Sequence, residues 1–360
     1  MTINLHHIER FFKKIANKFV QNNYTPEKIN TPERIFTANT HFKILLLRHD
    51  RLGDVLISIP FVRELRDILP GAKIDILLSF KNKTAARIIE KYTNNILILD
   101  NKPSAFINLI RRIRRERYDL IIDLLDNESA TSNLIMKYSI AVKKLGFDKS
   151  NANNYNYVVP IPHRGNVHIV KRLFSLLIPF GEAELPDSIK LEFPLNKEEI
   201  NQAKSLLSEK QKRLRLGINL TGSNESKYWG DENYINFIRE ITTVTDVEVL
   251  LFAVLRIKDK AEKIAAATGA SMAPIQNDFF IYAAMLNECD LILTPDTVAV
   301  HLAAAFGKPV ITLFHSPEPQ KLMPWYPLDT ASRSIVAKHS IAEITVEQVL
   351  AAYKELKGKL

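Results

Sequence analysis

The sequence predicts an α/β fold made of two doubly wound domains that face each other. Short apolar runs alternate with helical segments in two blocks of the chain, a pattern typical of parallel sheets covered by helices. Five prolines fall within residues 160–212, between the blocks, and suit a crossing between domains. The length of 360 residues is ample for two domains of ordinary size.

The first block begins with the run KILLLR, which has the continuous apolar character of a buried parallel strand. Its predicted strands are Lys43–Arg48, Ile74–Ser79, Ile96–Leu99 and Leu120–Leu124. A helix follows the first strand, and Pro60 within it predicts a kink or a restart. The basic stretch Arg111–Arg117 reads as a solvated helix face, with an anion-binding patch as the alternative.

The second block repeats the alternation from Leu214 onward. Its predicted strands are Leu214–Asn219, Val247–Ala253, Leu291–Thr294 and Val310–Phe314. Helices are predicted at about 231–242, 258–267, 278–288 and 297–306, with a closing amphipathic helix at about 344–357.

Residues 1–40 form a basic extension. Five apolar residues repeat at intervals of three and four and so share one helical face: Leu5, Ile8, Phe12, Ile15 and Phe19. Lysines and an arginine occupy much of the remainder, so this helix either lies in an anionic membrane interface or packs on the protein. The polar stretch 21–41 is predicted to be a linker.

The net charge of +9 is compatible with nucleic acid, anionic lipid or phosphorylated substrates as partners. No nucleic-acid-binding motif is recognisable, so nucleic acid is not expected. The sequence contains no apolar run of membrane-spanning length and no secretory signal, which predicts a cytoplasmic protein. The single cysteine, Cys289, excludes an internal disulfide and lies in an apolar helical context that predicts a buried, inert thiol.

Doubly wound domains bind ligands beyond the carboxyl ends of their strands, and this rule selects three loops. The first is RHDRLGD, in which Gly53 permits close backbone approach. Asp54 there is either a helix N-cap or a general base aimed into an interdomain cleft. Arg48 and Arg51 are candidates for holding anionic groups on an acceptor.

The second loop is NLTGSNESKYW, whose hydroxyl groups, glycine and Lys227 suit a phosphate, although its spacing is not that of a Walker loop. The third, TPDTVAVH, runs from a strand into a helix. Free N–H groups there would favour a diphosphate, with Asp296 accepting from hydroxyls and His301 donating to a phosphate oxygen. A lone histidine is also compatible with a satisfied core residue. No zinc-type spacing occurs, so no metal site is expected.

These segments resemble glycosyltransferase family 9, the ADP-heptose:lipopolysaccharide heptosyltransferases. The matching stretches are RHDRLGDVLISIPFVRELRDILPGAKIDILLS, NLTGSNESKYWGDENY and CDLILTPDTVAVHLAAAFGKPVITLF, in the family's order and spanning residues 43 to about 330. The resemblance implies a GT-B architecture of two Rossmann-like domains with the active site in the cleft. It also implies metal-independent transfer with inversion at the anomeric carbon.

The resemblance assigns roles by position. Asp54 matches the catalytic aspartate that deprotonates the acceptor, and Lys227 matches the lysine that stabilises the departing diphosphate. The loop touching those phosphates and the donor-binding segment supply Thr221, Gly222, Ser223, Asp296, Thr297 and His301. Acceptor contacts fall to Arg48, Arg51 and Gly53.

The chain departs from the family pattern in its donor region. Val298 and Val300 stand where many relatives carry glycine and serine, so donor contacts there are expected to differ. The family commonly carries a Gly-Gly pair after the second strand of the donor domain, and this pair is absent from Val254–Ile257. The candidates for the pocket on the adenine side of the donor are Asn277, Asp278 and Asp259.

The residue patterns and the resemblance together divide the chain into five predicted segments: an extension and linker (1–40), an acceptor-binding domain (41–180), an interdomain connection (181–212), a nucleotide-sugar-binding domain (213–335) and a closing helix (336–360). The expected function is heptose transfer from ADP-heptose to a lipopolysaccharide core acceptor, at the inner face of the inner membrane and without a cofactor. The alternatives are another nucleotide-hexose donor or a capsule or glycolipid acceptor, and a non-catalytic sugar-nucleotide binder.

Overall fold

The computed structural model describes residues 25–37, 42–100, 102–163, 165–182, 189–318 and 325–360. The described residues form two compact units. The first unit has the bounds Met1–His163 and Ile169–Asp187, and the second has the bounds Arg164–His168 and Ser188–Leu360. The amphipathic helix predicted from Leu5 to Phe19 lies outside the described residues.

The first unit is built on a seven-stranded sheet in the order β1-β7-β6-β5-β2-β3-β4, and its strand pairs are parallel. The apolar run of β2 is buried because helices cover a parallel sheet on both faces. The strands are β1 (Glu27–Lys28), β2 (Lys43–Leu47), β3 (Lys73–Ser79), β4 (Asn95–Leu99), β5 (Leu120–Asp123), β6 (Lys143–Phe147) and β7 (Tyr157–Val159).

The helices of the first unit are α1 (Leu52–Ile68), α2 (Ala86–Ile89), α3 (Pro103–Glu116), α4 (Ala130–Tyr138) and α5 (Ile169–Phe174). Helix α1 runs through Pro60 without the predicted restart, and the residues on both sides of the proline are buried. The apolar packing around Ile59 and Phe61 holds the helix together where the proline removes one backbone hydrogen bond.

The second unit is built on a six-stranded sheet in the order β10-β9-β8-β11-β12-β13, again with parallel pairs. Its strands are β8 (Leu214–Asn219), β9 (Val247–Phe252), β10 (Ser271–Met272), β11 (Leu291–Pro295), β12 (Val310–His315) and β13 (Ser332–Ala337). Its helices are α6 (Lys197–Leu206), α7 (Asp231–Val244), α8 (Lys258–Thr268), α9 (Phe279–Asn287), α10 (Val298–Ala305) and α11 (Val346–Lys357).

The core of the second unit contains Trp229, which is fully buried and donates from Nε1 to the Ile344 carbonyl at 2.8 Å. This bond anchors the end of the loop that contains Lys227 against the start of α11. Cys289 is buried as expected, and burial raises the pKa of its thiol to about 12, which suppresses the reactive thiolate.

The eight predicted strands are confirmed to within one residue at each end, and the helices predicted within the described ranges are present. Strands β1, β6, β7, β10 and β13 were not predicted. Strand β6, with the sequence KKLGF, opens with two lysines and contains a glycine, which weakens its apolar signal. Strands β1 and β10 have only two residues each, too short to give a pattern.

The linker prediction is wrong for residues 25–37. Strand β1 pairs with β7, and Phe36 is buried against the rings of Tyr157 and Phe180. Two aromatic contacts and an edge pairing hold this segment to the first unit. Within the described ranges, no helix is long and apolar enough to cross a bilayer.

Candidate active site

The predicted site residues occupy the carboxyl ends of strands in each unit. In the first unit they follow β2, and in the second unit they follow β8 and β11. Each group is built by its own sheet, as expected for doubly wound folds.

In the first unit, Arg48 is buried and its guanidinium is engaged by neighbouring groups. Its Nε donates to the Asp54 carbonyl at 2.8 Å, and its Nη1 donates to the Leu124 carbonyl at 3.0 Å and to Asp50 Oδ2 at 3.3 Å. Asn82 donates from Nδ2 to the Arg48 carbonyl. Arg48 therefore ties the start of α1 to the end of β5, while Arg51 is exposed.

Asp54 lies in the first turn of α1, and one of its carboxylate oxygens, Oδ2, accepts from the Arg51 backbone N–H at 3.2 Å. The side chain is partly exposed. The N-cap interpretation of Asp54 is wrong, because the N-cap residue is Arg51 and Asp54 is the third residue of α1, whose carboxylate reaches back to the Arg51 N–H. Gly53 precedes it inside the same helical turn.

Asp50 is a second carboxylate in this loop, and the sequence did not single it out. Burial raises the pKa of Asp50 to about 7; Arg48 opposes this shift, and the charge of Asp54 adds to it. Its Oδ1 is buried without a hydrogen-bond partner among the described residues. The loop therefore presents a second carboxylate, buried and with a raised pKa, close in sequence to Asp54.

A buried polar network underlies the loop. Asp123, at the end of β5, pairs with Lys149 at 2.8 Å and accepts from the Tyr155 hydroxyl at 2.6 Å. These partners hold the pKa of Asp123 below its usual range in spite of burial, which on its own acts to raise it. Burial lowers the pKa of His49, whose Nε2 lies 3.3 Å from Ser129 Oγ. The strand-end rule applied to β5 would have identified Asp123.

In the second unit, the structure brings together residues predicted from two separate motifs. Lys227 Nζ lies 2.5 Å from Asp296 Oδ2 and 3.1 Å from the Asp296 carbonyl oxygen. The Lys227 side chain is 15% exposed and that of Asp296 is 36% exposed. A partly exposed cation is thus fixed beside the segment that was predicted to bind the donor.

Asn219, at the end of β8, links the same two loops and was not predicted. Its Nδ2 donates to Thr294 Oγ1 at 2.9 Å and to Thr297 Oγ1 at 3.1 Å, and its Oδ1 accepts from the Thr221 N–H. One buried amide therefore sets the spacing between the loops after β8 and β11.

Gly222 packs against Lys227. A Cβ at Gly222 would lie 2.5 Å from Lys227 Cβ and closer still to the Lys227 carbonyl, so a side chain here would displace the lysine. Arg256 donates to the Gly222 carbonyl. Thr221 Oγ1 is buried with no partner among the described residues, and Ser223 is exposed.

Thr297 is the N-cap of α10, and its Oγ1 accepts from the Ala299 N–H at 3.3 Å. The Val300 N–H bonds to the Thr297 carbonyl, so two of the N–H groups expected to be free are occupied in this structure. Val298 begins the helix, and Val300 is buried. His301 is buried in the same helix.

His315, at the end of β12, is a further residue that the sequence did not single out. Its Nε2 lies 2.9 Å from Ser226 Oγ, one residue before Lys227 in the chain. Asp278, a candidate for the adenine side, is the N-cap of α9 and accepts from the Phe280 N–H at 2.7 Å. Among the residues that the structure describes, no group of three or more potential metal ligands is found.

Comparison with known proteins identifies the family of this chain. The sequence profile of glycosyltransferase family 9 (heptosyltransferase) matches residues 106–350, more than half of the chain. The chain belongs to glycosyltransferase family 9. It is accordingly a glycosyltransferase of the heptosyltransferase type.

Two curated relatives of this family 9 enzyme act on lipopolysaccharide by name. Lipopolysaccharide heptosyltransferase 3 of Escherichia coli is 24% identical over 76% of this chain and 83% of its own length. The lipopolysaccharide core heptosyltransferase OpsX of Haemophilus influenzae is 21% identical over 87% of this chain and 96% of its own length.

Solved structures of other proteins share the fold of the family 9 enzyme. A glycosyl transferase family 9 protein from Veillonella parvula superimposes with a TM-score of 0.77 at 18% identity, covering 90% of this chain and 99% of its own. ADP-heptose lipopolysaccharide heptosyltransferase II of E. coli gives 0.70 at 19% identity, covering 88% and 99%. These similarities confirm the predicted α/β fold of the GT-B type.

Proposed function

We propose that this enzyme transfers heptose from ADP-heptose to a lipopolysaccharide core acceptor by a single, inverting displacement without a metal ion. The observation that carries the donor half is the contact between Lys227 and Asp296, because it joins the two segments assigned to donor binding. ADP-heptose and the lipopolysaccharide acceptor are inferred from family membership and from the relatives' names.

In this mechanism Asp54 is the general base. The acceptor hydroxyl oxygen forms a bond to the anomeric carbon while its proton passes to the Asp54 carboxylate, and the bond from that carbon to the diphosphate oxygen breaks. Attack from the face opposite the leaving group inverts the configuration. The partial exposure of Asp54, with one oxygen used as a helix cap, supports access of an acceptor to the carboxylate.

Lys227 supplies positive charge to the departing diphosphate. Negative charge develops on the diphosphate as the bond breaks, so a cation held in place stabilises the transition state more than the ground state. Asp296 orients Lys227 and accepts hydrogen bonds from hydroxyl groups of the donor. Thr221, Ser223, Thr297 and His301 complete the donor contacts, and Gly222 leaves room for the lysine.

The acceptor side depends on the loop after β2. The guanidinium of Arg48 is engaged within the protein, which supports a positioning role for it beneath Asp54. The exposed Arg51 is the better candidate for direct contact with anionic acceptor groups.

Transfer with defined substrates tests the proposal. The enzyme is incubated with ADP-heptose and a heptose-deficient lipopolysaccharide, and the product's anomeric configuration is read by NMR. Formation of the inverted product in the presence of a chelator supports the proposal. Retention of configuration, or loss of activity restored by a divalent cation, contradicts it.

The main alternative is a different donor or a capsule or glycolipid acceptor on the same fold. A thermal-shift panel of ADP-, UDP- and GDP-sugars separates the donors, since a bound ligand stabilises the native state. Stabilisation by a UDP- or GDP-sugar in preference to ADP-heptose would favour that alternative. A non-catalytic binder is disfavoured because Asp54 and Lys227 are both present.

A further inference from the structure

The first unit carries an exposed surface that the proposed chemistry does not use. We name it the basic face and define it as residues 107–115 of α3 together with residues 138–142, between α4 and β6. Three apolar side chains on it are unusually exposed: Ile107 at 55%, Ile140 at 56% and Val142 at 66%. Tyr138 is 43% exposed.

The two segments form one continuous surface. Arg114 donates from Nε to the Tyr138 carbonyl at 2.8 Å, which ties the end of α3 to the start of the second segment. Ile107, Arg111 and Arg114 are spaced by four and three residues and therefore share one side of the helix. The opposite side of α3 is buried through Leu109, Ile110 and Ile113.

The charge of the basic face is strongly positive. Residues 111–115 of the face contain four exposed arginines and no acidic residue, and Glu116 and the exposed Arg117 follow them in the chain. The acidic residue, Glu116, lies 3.4 Å from Lys73 and 3.8 Å from Lys43. The carboxylate is thus engaged by lysines, and the arginines keep their excess charge.

We propose that the basic face docks the enzyme on the surface of an anionic membrane. Arginines reach lipid phosphates, while isoleucine, valine and tyrosine side chains enter the boundary between headgroups and acyl chains. Exposed arginines alone, or exposed aliphatic groups alone, are ordinary on a protein surface. Aliphatic groups set among unneutralised arginines match both layers of such an interface, the anionic headgroups and the acyl chains.

The composition of the face disfavours other partners. Nucleic acid would use the arginines but would leave the aliphatic side chains in water, because the phosphate backbone is recognised by charge. Residues 1–24 of the same chain contain Arg10 and three lysines with one acidic residue. Their charge has the same sign as that of the basic face, which disfavours them as the segment that covers it. An anionic lipid surface is the partner that satisfies both features.

The position of the face deepens the proposed function and rests on it. Residues 138–142 precede β6, whereas the loop with Asp54 follows β2, so the two lie at opposite ends of parallel strands in one sheet. Strands of four or five residues separate these ends by roughly 15 Å. The reacting acceptor hydroxyl would then stand well above the lipid surface, as it does on a lipid carrying several sugars.

Vesicle sedimentation of the full chain tests the docking. The protein is mixed with phosphatidylcholine vesicles, with and without phosphatidylglycerol. I140S/V142S removes the aliphatic part and R111Q/R112Q/R115Q removes the charge. The matched controls are V244S/L360S, which alters two other exposed apolar residues, and K354Q/K357Q/K359Q, which removes three exposed lysines at the C-terminus. Circular dichroism verifies that each variant is folded.

We expect the wild type to sediment with the phosphatidylglycerol vesicles and both basic-face variants to bind them about tenfold more weakly or worse. The controls should bind like the wild type. Equal binding by the basic-face variants and the wild type, or equal wild-type binding to both kinds of vesicle, would overturn the proposal, as would no binding at all. ADP binding is measured on the same proteins by calorimetry. If the wild type does not bind ADP, that result counts against the proposed function and not against the docking.

Discussion

Lys227 and Asp296 are joined at 2.5 Å although 69 residues separate them in the chain. The pair links the loop after β8 to the loop after β11, and Asn219 bonds to both loops beneath it. The cation assigned to the diphosphate is therefore held in place by the protein itself. Such preorganisation lowers the cost of stabilising charge that develops during the reaction.

The D54N variant tests the general base. Asparagine can still accept from the Arg51 N–H, so the start of α1 should be retained. An amide cannot take the acceptor proton, and we expect kcat to fall about a hundredfold or more while ADP binding is kept. Steady-state transfer assays and calorimetry measure the two effects. D67N, which alters an exposed carboxylate on the same helix, is the control, and an undiminished rate in D54N would refute the role of Asp54.

The K227M variant tests the stabilisation of the leaving group. Methionine keeps much of the length and removes the charge, so we expect kcat to fall about a hundredfold and ADP affinity to weaken. K204M, which alters an exposed lysine on α6, should behave like the wild type. Equal losses in both variants would mean that overall charge, and not the position of Lys227, governs binding.

The G222A variant tests whether the loop can hold Lys227 only with glycine at this position. The added methyl group would collide with Lys227, so we expect reduced ADP affinity and a lower thermal midpoint. G358A is the control, since a Cβ there meets its nearest atom at 3.5 Å. If G222A binds ADP as tightly as the wild type does, the loop has room that the structure does not show.

The D50N variant tests the raised pKa of Asp50, about 7. Between the unfolded-state pKa of about 4 and this value, the folded chain retains a proton that the unfolded chain has released. The contribution of Asp50 to the free energy of unfolding is therefore largest at low pH and is lost as the pH rises through 7. Urea unfolding should therefore show D50N gaining on the wild type between pH 5 and pH 8. A constant difference between the two would contradict the shift.

The W229F variant tests the anchor behind Lys227. It removes the donor to the Ile344 carbonyl and leaves that buried acceptor unpaired, which costs about 1–3 kcal/mol of the free energy of unfolding. The loss of ring volume adds to this cost. Trp325, the other tryptophan, is only partly buried. W325F should therefore lower the free energy of unfolding by less than W229F does in the same urea titration. Equal costs would show that the anchor contributes nothing particular.

The sequence alone determined the alternation of buried strands and helices. Runs such as ILLL in β2 and VLLF in β9 are apolar throughout because both faces of a parallel sheet are covered, and this property is local to each run. The strands that escaped prediction are short or open with polar residues: β1 and β10 have two residues each, β7 has three, and β6 and β13 begin KK and SRS. Strand β1 is recognised only by its pairing with β7. The three motif loops were found because strand ends are readable in the sequence.

Only the tertiary structure decided which side chains meet. Nothing near Lys227 in the chain specifies Asp296, and nothing near Asp54 indicates that Arg48 is bound beneath it. The raised pKa of Asp50 depends first on burial, which only the folded chain provides, and the buried amide of Asn219 acts only because β8 and β11 are neighbours. Secondary structure follows from local pattern, whereas contacts, burial and electrostatic coupling arise from residues that the folded sheets bring together.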